Sequence, residues 1–317
     1  NGTAHPDVIE LYNPRATAVD ISGWAISDDA ALPAKFVFPA TTTIPAGGYL
    51  VLFADAPDGN PGTHLGFSLD GDGESVVLSS PNGATWTTMD TVTFGLQLPD
   101  KSVGRVGLDR HWDLNVPTLG SANVQQPNDC PGHVLFNEWL ANSEISYKDD
   151  QIELYNTNVL PGNIGGFYIT DTPDNPRAYQ FPPLSFVAGK GYATLVADGT
   201  IGAQANHLPF KLDAFYDWLV LTDSTGNTVD YVAITCAQPD VVEGRLPDGS
   251  ATITTLALPT FGLTNGATIA GNTTTKSYPL IALNGTSRTQ IYCDIAESQF
   301  GRNGPQVYRG TQVRGCA

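Results

Sequence analysis

Charge is scarce in this sequence, and positive charge is scarcer. Charged residues make up 15% of the 317 residues, against about 25% in ordinary globular chains. Lys and Arg total 15 against 32 Asp and Glu, a formal net charge of −17. No basic surface can be assembled from that balance, which excludes nucleic-acid binding and attraction to anionic membranes. There is no apolar run of about 18 residues, so no membrane-inserted helix is expected. None of the four cysteines stands in C-x-x-C spacing, which argues against zinc and thioredoxin-like chemistry. H-x-H and H-E-x-x-H patterns, a G-x-S-x-G elbow and a phosphate-binding glycine fingerprint are all missing. The chain opens at Asn1 with neither a methionine nor a signal peptide, which reads as a processed chain or a fragment.

What is abundant is turn chemistry. The chain holds 33 Gly and 23 Pro, and 41% of it is hydrophobic. That suits packed cores built from short strands and many turns, with long helices disfavoured. Cys130, Cys236, Cys293 and Cys316 fit two disulfides in an oxidising compartment. Cys130 with Cys236 would clamp a linker to the second half of the chain, and Cys293 with Cys316 would staple the tail. Three connectivities are open, and one bridge could be intermolecular. N-x-Thr sequons at Asn1, Asn272 and Asn284 are glycosylation candidates and add support for an exported protein.

The sequence repeats itself. Glu10-Leu11-Tyr12-Asn13 returns as Glu153-Leu154-Tyr155-Asn156, 143 positions later. The same offset links Gly23 to Gly166, Phe38-Pro39 to Phe181-Pro182, Ala54-Asp55 to Ala197-Asp198 and His64-Leu65 to His207-Leu208. Farther on the register slips, so that Gly104-Arg105 answers to Gly244-Arg245, and Pro117-Thr118 to Pro259-Thr260. Two copies of one domain are expected, at residues 1–122 and 131–265, with a linker at 123–130 and a tail at 266–317. Each copy carries short β-branched or aromatic runs bounded by turn residues, such as Val8–Tyr12, Lys35–Phe38, Tyr49–Phe53, Ser75–Leu78 and Asp90–Phe94. That pattern predicts β-sandwiches. Trp24 and Phe167 occupy equivalent places after a turn and are expected to anchor the core between the sheets.

These motifs resemble the lamin tail domain family of secreted or surface bacterial proteins. The resemblance rests on Ile9–Asn13, Ser22-Gly23-Trp24, Ser27-Asp28-Asp29, Phe36–Pro39, Ile44–Val51, His64–Leu69 and Gly73–Leu78. It covers most of the first copy and, more loosely, the second. It implies an all-β fold of two tandem immunoglobulin-like sandwiches, used as accessory or structural modules outside the cell.

The second copy opens with Val134-Leu135-Phe136-Asn137-Glu138-Trp139-Leu140, similar to the family's first strand. By the repeat spacing, the matching segment of the first copy would precede Asn1. A sandwich short of its first strand has an open edge and an uncovered stripe of core. The tail contains a strand-like segment with Tyr278, Leu280, Ile281 and Leu283, and it ends in Asn284-Gly285-Thr286. The expectation is that this segment of one subunit fills the first copy of the next. Repeated head to tail, the contact yields an open filament. A cut chain is the plainer alternative.

Few residues invite chemistry. Asp70, Asp72 and Glu74 alternate with glycines like the start of a calcium loop, but the distal part of that loop is missing and a β-turn explains them better. No other cofactor is expected. Asp28-Asp29 and Asp55 with Asp58 read as turn caps. His64 and His207 recur in both copies, which favours a structural hydrogen bond over catalysis. Glu10 and Glu153 recur as well, and read as structural residues at the start of an edge strand. The expected function is therefore non-enzymatic: an extracellular structural protein that partners itself. The alternative is a carbohydrate- or envelope-binding accessory module of a secreted enzyme, with Trp86, Trp112 and Trp218 as exposed aromatics for a cell-surface glycan.

Overall fold

The computed structural model describes residues 6–57, 61–129, 131–145, 147–202 and 204–266. Asn1, Asp58, Cys130, Asn272, Tyr278, Leu280, Ile281, Leu283, Asn284, Cys293 and Cys316 lie outside the described residues. The chain divides into two compact units, residues 1–127 with 182–185 and residues 128–181 with 186–317. Both are all-β.

Domain one contains β1 (Asp7–Tyr12), β2 (Val19–Asp20), β3 (Ala25–Ser27), β4 (Phe36–Val37), β5 (Thr43–Ile44), β6 (Tyr49–Ala54), β7 (Glu74–Asn82), β8 (Thr85–Phe94), β9 (Ser102–Val106), β10 (His111–Val116) and β11 (Val124–Gln125). One layer is the sheet β4-β3-β7-β8. Its long β7–β8 hairpin turns at Asn82-Gly83, where Gly83 takes a positive φ. Elsewhere β1 pairs with β6, β2 with β5, and β10 with both β9 and β11. Ile26, Phe38, Leu52, Leu65 and Leu114 form the buried centre. Val124–Gln125 pairs with the end of β10, so the first domain runs past residue 122 and the expected linker at 123–130 starts too early. Two isolated polar-flanked residues gave no strand pattern to read.

Domain two contains β12 (Val134–Leu140), β13 (Asp150–Asn156), β14 (Gly162–Asn163), β15 (Tyr168–Thr170), β16 (Tyr179–Gln180), β17 (Phe186–Val187), β18 (Tyr192–Ala197), β19 (His207–Leu208), β20 (Tyr216–Thr222), β21 (Thr228–Thr235), β22 (Glu243–Arg245) and β23 (Ile253–Thr255). Here β16-β15-β20-β21 makes one layer, and the six strands β19-β18-β13-β12-β22-β23 make the other. Trp139, Phe136, Phe181, Phe186 and Ile152 are among its largest fully buried side chains.

Physical reasons for the recurring motifs are visible in both copies. Asn13 and Asn156 are buried, and each holds the turn that follows its strand. Asn13 Nδ2 donates to the carbonyls of Thr17, Ile44 and Pro45 at 2.9–3.0 Å. Asn156 Nδ2 donates to the carbonyls of Leu160 and Val187. The preceding tyrosines meet a cross-strand partner: Tyr12 lies 4.8 Å from Tyr49, and Tyr155 lies 5.0 Å from Tyr192. His64 Nδ1 bonds Asp55 at 2.6 Å and His207 Nδ1 bonds Asp198 at 2.8 Å, the structural hydrogen bond expected of them.

The aromatic expectations divide. Phe167 is buried, but Trp24 is only half-buried. Trp218 is buried, not exposed: it faces the β20–β21 hairpin and donates its Nε1–H to the Tyr216 hydroxyl. Trp86 and Trp112 are half-buried.

Candidate strand-acceptor site

The two copies differ most around β12. In domain two this strand lies between β13 and β22 and makes one sheet of them. In domain one β1 pairs only with β6, and β9 only with β10; among the described residues no strand joins them. Burial follows. Ile152, Glu153 and Leu154 are fully buried in β13, whereas their counterparts Ile9, Glu10 and Leu11 in β1 are partly exposed. Glu153 consequently lies on an interior strand. The expectation of an edge strand holds for Glu10 alone.

What holds β12 is a set of polar side chains wrapped around its backbone and its Asn137-Glu138 pair. Asp230 Oδ2 accepts the Phe136 N–H at 2.8 Å, and Arg245 Nε donates to the Phe136 carbonyl at 2.6 Å. Asp230 and Arg245 also pair with each other at 3.0 Å. Asn137 Nδ2 donates to Glu153 Oε1 at 2.9 Å, and the Asn137 carbonyl accepts from Asn265 Nδ2. Glu138 is fully buried and its carboxyl takes the Thr260 N–H at 2.7 Å and the Thr260 hydroxyl at 2.6 Å. Gly244 lets the strands close up, since a Cβ there would stand 2.7 Å from the Asn137 carbonyl oxygen. Burial drives the carboxyls upward: Glu153 is pushed to about 8, and Glu138 and Glu243 are also raised by desolvation.

Domain one keeps this set. Glu10, Asp90, Arg105, Thr118 and Asn123 are identical to Glu153, Asp230, Arg245, Thr260 and Asn265. The frame around the position is also kept. Glu10 accepts the Gly120 N–H as Glu153 accepts the Gly262 N–H, both at 2.5 Å. Asp90 pairs with Arg105 at 2.8 Å, and Asn123 Nδ2 donates to the Arg105 carbonyl as Asn265 does to Arg245. The change lies in cover. The Arg245 and Asp230 side chains are 10% and 12% exposed, and those of Arg105 and Asp90 are 33% and 52% exposed. Thr118 Oγ1 is buried with no hydrogen-bond partner. A polar atom in that condition costs free energy until a partner arrives.

The model of the lamin tail domain family matches residues 1–95 and 128–236, together more than half of the chain. The chain belongs to the lamin tail domain family. No curated protein and no solved structure matches it. Both lamin tail domains are immunoglobulin-like modules, and the family is a structural one, not an enzyme family.

The remaining site expectations resolve in the geometry. Asp70, Asp72 and Glu74 do not converge on a cation. Glu74 Oε1 accepts the Asp70 N–H at 2.6 Å and Asp70 Oδ1 accepts the Asp72 N–H, which makes a turn. Burial pushes the Glu74 carboxyl up to about 7. Asp217 Oδ2 accepts the Asp213 N–H in the same way in domain two, where the glycines are lost. Among the described residues no group of three metal-ligating side chains forms. Cys236 is disulfide-bonded. The importance of Asp90, Arg105, Thr118 and Asn123 was not read from the sequence. They fall where the repeat register slips, and only the pairing of β12 shows what they surround.

Proposed function

We propose that this chain is a non-enzymatic structural protein of the extracellular space, joined head to tail by strand donation. The tail segment of one copy enters domain one of the next, between β1 and β9. The observation that carries the proposal is the retained set Glu10, Asp90, Arg105 and Thr118, around which no strand runs among the described residues and in which Thr118 Oγ1 has no hydrogen-bond partner.

The tail matches what has changed in domain one. Aligned on its asparagine, Ile281-Ala282-Leu283-Asn284 repeats the apolar spacing of Val134-Leu135-Phe136-Asn137. The next residues of β12 are Glu138-Trp139-Leu140, and Trp139 donates to Glu243 while Leu140 packs on Val242 and Leu256. Domain one has Val103, Ser102 and Asn115 at those three places, and the tail has Thr286 and Ser287 opposite them. Two of the three places turn from apolar to polar, Val242 to Ser102 and Leu256 to Asn115, which suits a polar residue of the donor there. Main-chain bonds to two open edges supply affinity, and side-chain pockets supply register. A strand offered by one end and accepted at the other propagates without closing.

The disulfide at Cys236 supports an oxidising compartment. The runner-up, a glycan- or envelope-binding module, finds less support, since Trp218 is buried and the Trp112 ring already lies under the Arg105 guanidinium at 4.7 Å. Electron microscopy and sedimentation of the whole chain against one ending at Gly266 test the proposal. Filaments or large oligomers that vanish with the tail are expected; an unchanged size contradicts it.

A further inference from the structure

We propose that domain one closes a covalent amide between the Lys35 amine and the Asp28 carboxyl, with loss of one water and with Glu74 relaying the protons. The bond forms within one molecule, so it stands apart from strand donation.

Asp28 follows the last residue of β3 and Lys35 precedes the first of β4, and the pairs Ile26–Phe36 and Ala25–Val37 fix both ends of the loop between them. Inside the loop the Leu32 N–H donates to the Asp29 carbonyl at 3.0 Å, and the Ala31 N–H to Asp29 Oδ1 at 2.8 Å. Lys35 Nζ stands 2.5 Å from Asp28 Oδ1, with the two side chains 33% and 13% exposed. That is closer than the roughly 2.7–2.9 Å of a charge-assisted hydrogen bond. It is not aligned as one either, since Asp28 Oδ1 is buried with no hydrogen-bond partner. Cγ lies one bond beyond that oxygen, so the amine stands at roughly the 3–3.5 Å of a near-attack pair. Glu74 opens β7, the strand paired with β3, and interacts electrostatically with both side chains. Domain two keeps the acids without the amine: Asp171 and Asp217 stand at the places of Asp28 and Glu74, and Ala178 at that of Lys35. The acid pair belongs to the shared frame, and Lys35 is what domain one adds.

The step is a condensation. The Asp28 carboxylate holds the Lys35 amine above its ordinary value, so the pair starts charged. A proton crosses the short contact from Nζ to the Asp28 carboxylate, and the neutral amine then attacks Cγ. Burial pushes the Glu74 carboxyl up to about 7, and its Oε1 accepts the Asp70 N–H, which leaves Oε2 to carry the proton. Glu74 gives that proton to the departing hydroxyl oxygen and takes one from the nitrogen. One C–N bond forms, one C–O bond breaks and one water leaves; nothing is oxidised or reduced.

Trypsin digestion and mass spectrometry of the reduced 317-residue chain test this. A chain without the amide is cut after Lys35 and yields the peptides Ala16–Lys35 and Phe36–Lys101. With the amide in place trypsin passes over Lys35. One peptide spanning Ala16–Lys101 and lighter by one water is then expected, with the loss placed by fragmentation between Asp28 and Lys35. Lys35→Arg keeps the charge at a partly exposed position and so keeps the fold; that chain should be cut at position 35 and retain the water. Glu74→Gln should keep the melting temperature of domain one and lower the yield of the joined peptide about tenfold or more. Complete cleavage after Lys35 in the unaltered chain overturns the proposal, as does a loss of water that persists in the Lys35→Arg chain. An undiminished yield in the Glu74→Gln chain overturns the relay.

Discussion

Thr118 and Thr260 hold the same place in the two copies, yet only Thr260 has a carboxyl to donate to: its hydroxyl lies 2.6 Å from Glu138 Oε2, while Thr118 Oγ1 is buried without a partner. Among the described residues no strand of domain one takes the place that β12 holds in domain two. The more exposed ion pair beside Thr118, the partly exposed β1 and the separate β9 sheet go with that. β12 also contributes four buried apolar side chains, Val134, Phe136, Trp139 and Leu140. Burying each such group stabilises by about 1.5–3 kcal/mol.

The two domains should therefore melt apart. Calorimetry of the chain at low concentration is expected to show domain one unfolding first, and a bound strand peptide should raise only that transition. Phe136→Ala should lower only the later transition, by about 3–5 kcal/mol, since a fully buried ring is removed from a closed core.

The equivalent ion pairs should differ in worth. Arg245→Ala leaves Asp230 buried and strips the clamp from the Phe136 carbonyl, a loss of about 3–5 kcal/mol. Arg105→Ala, at a half-exposed pair, should cost within about 1 kcal/mol. Urea unfolding of both variants checks the contrast. Equal losses would mean that the position beside Arg105 is covered.

Stability of domain two should fall as pH rises. Burial raises the Glu153 carboxyl from 4.5 to about 8, so the folded state holds a proton that the unfolded state releases. The penalty is absent below about 4.5, grows through the interval and is complete above about 8, reaching a few kcal/mol. Glu153→Gln should flatten that slope in melting temperatures measured from pH 5 to pH 9. An unchanged slope would show that this carboxyl is not its source.

Blocking the acceptor should stop assembly without unfolding the domain. A Cβ at Gly104 would stand 2.6 Å from Nδ2 of the exposed Asn123 and 2.7 Å from Nδ2 of the buried Asn115, and it would occupy the edge where a strand must approach. Gly104→Ala is expected to keep the melting temperature within a few degrees and to abolish large oligomers in sedimentation.

Much of this was legible in the chain itself. Repetition of Glu10–Asn13 revealed the duplication, and the segment at Val134–Leu140 with no partner in the first copy pointed to the open position. The histidines could be read because they recur with their aspartates. Exposure was harder: Trp24 and Trp218 both read as isolated aromatics, yet Trp24 is half-buried and Trp218 is buried, a difference set by packing across the sheets that no local pattern encodes. Glu153 reads as an edge residue from local pattern, yet β13 lies between β12, from the preceding segment, and β18 at Tyr192–Ala197, a pairing across the chain that no local pattern encodes.

Hydrogen exchange in β1 and β13, followed as a function of protein concentration, tests strand donation most directly. At the lowest concentration the amides of β1 that do not face β6 should exchange rapidly while β13 is protected throughout. As concentration rises, protection should appear in β1 and leave β13 unchanged. If β1 is as protected as β13 at every dilution, or remains open at every concentration, donation between molecules does not occur.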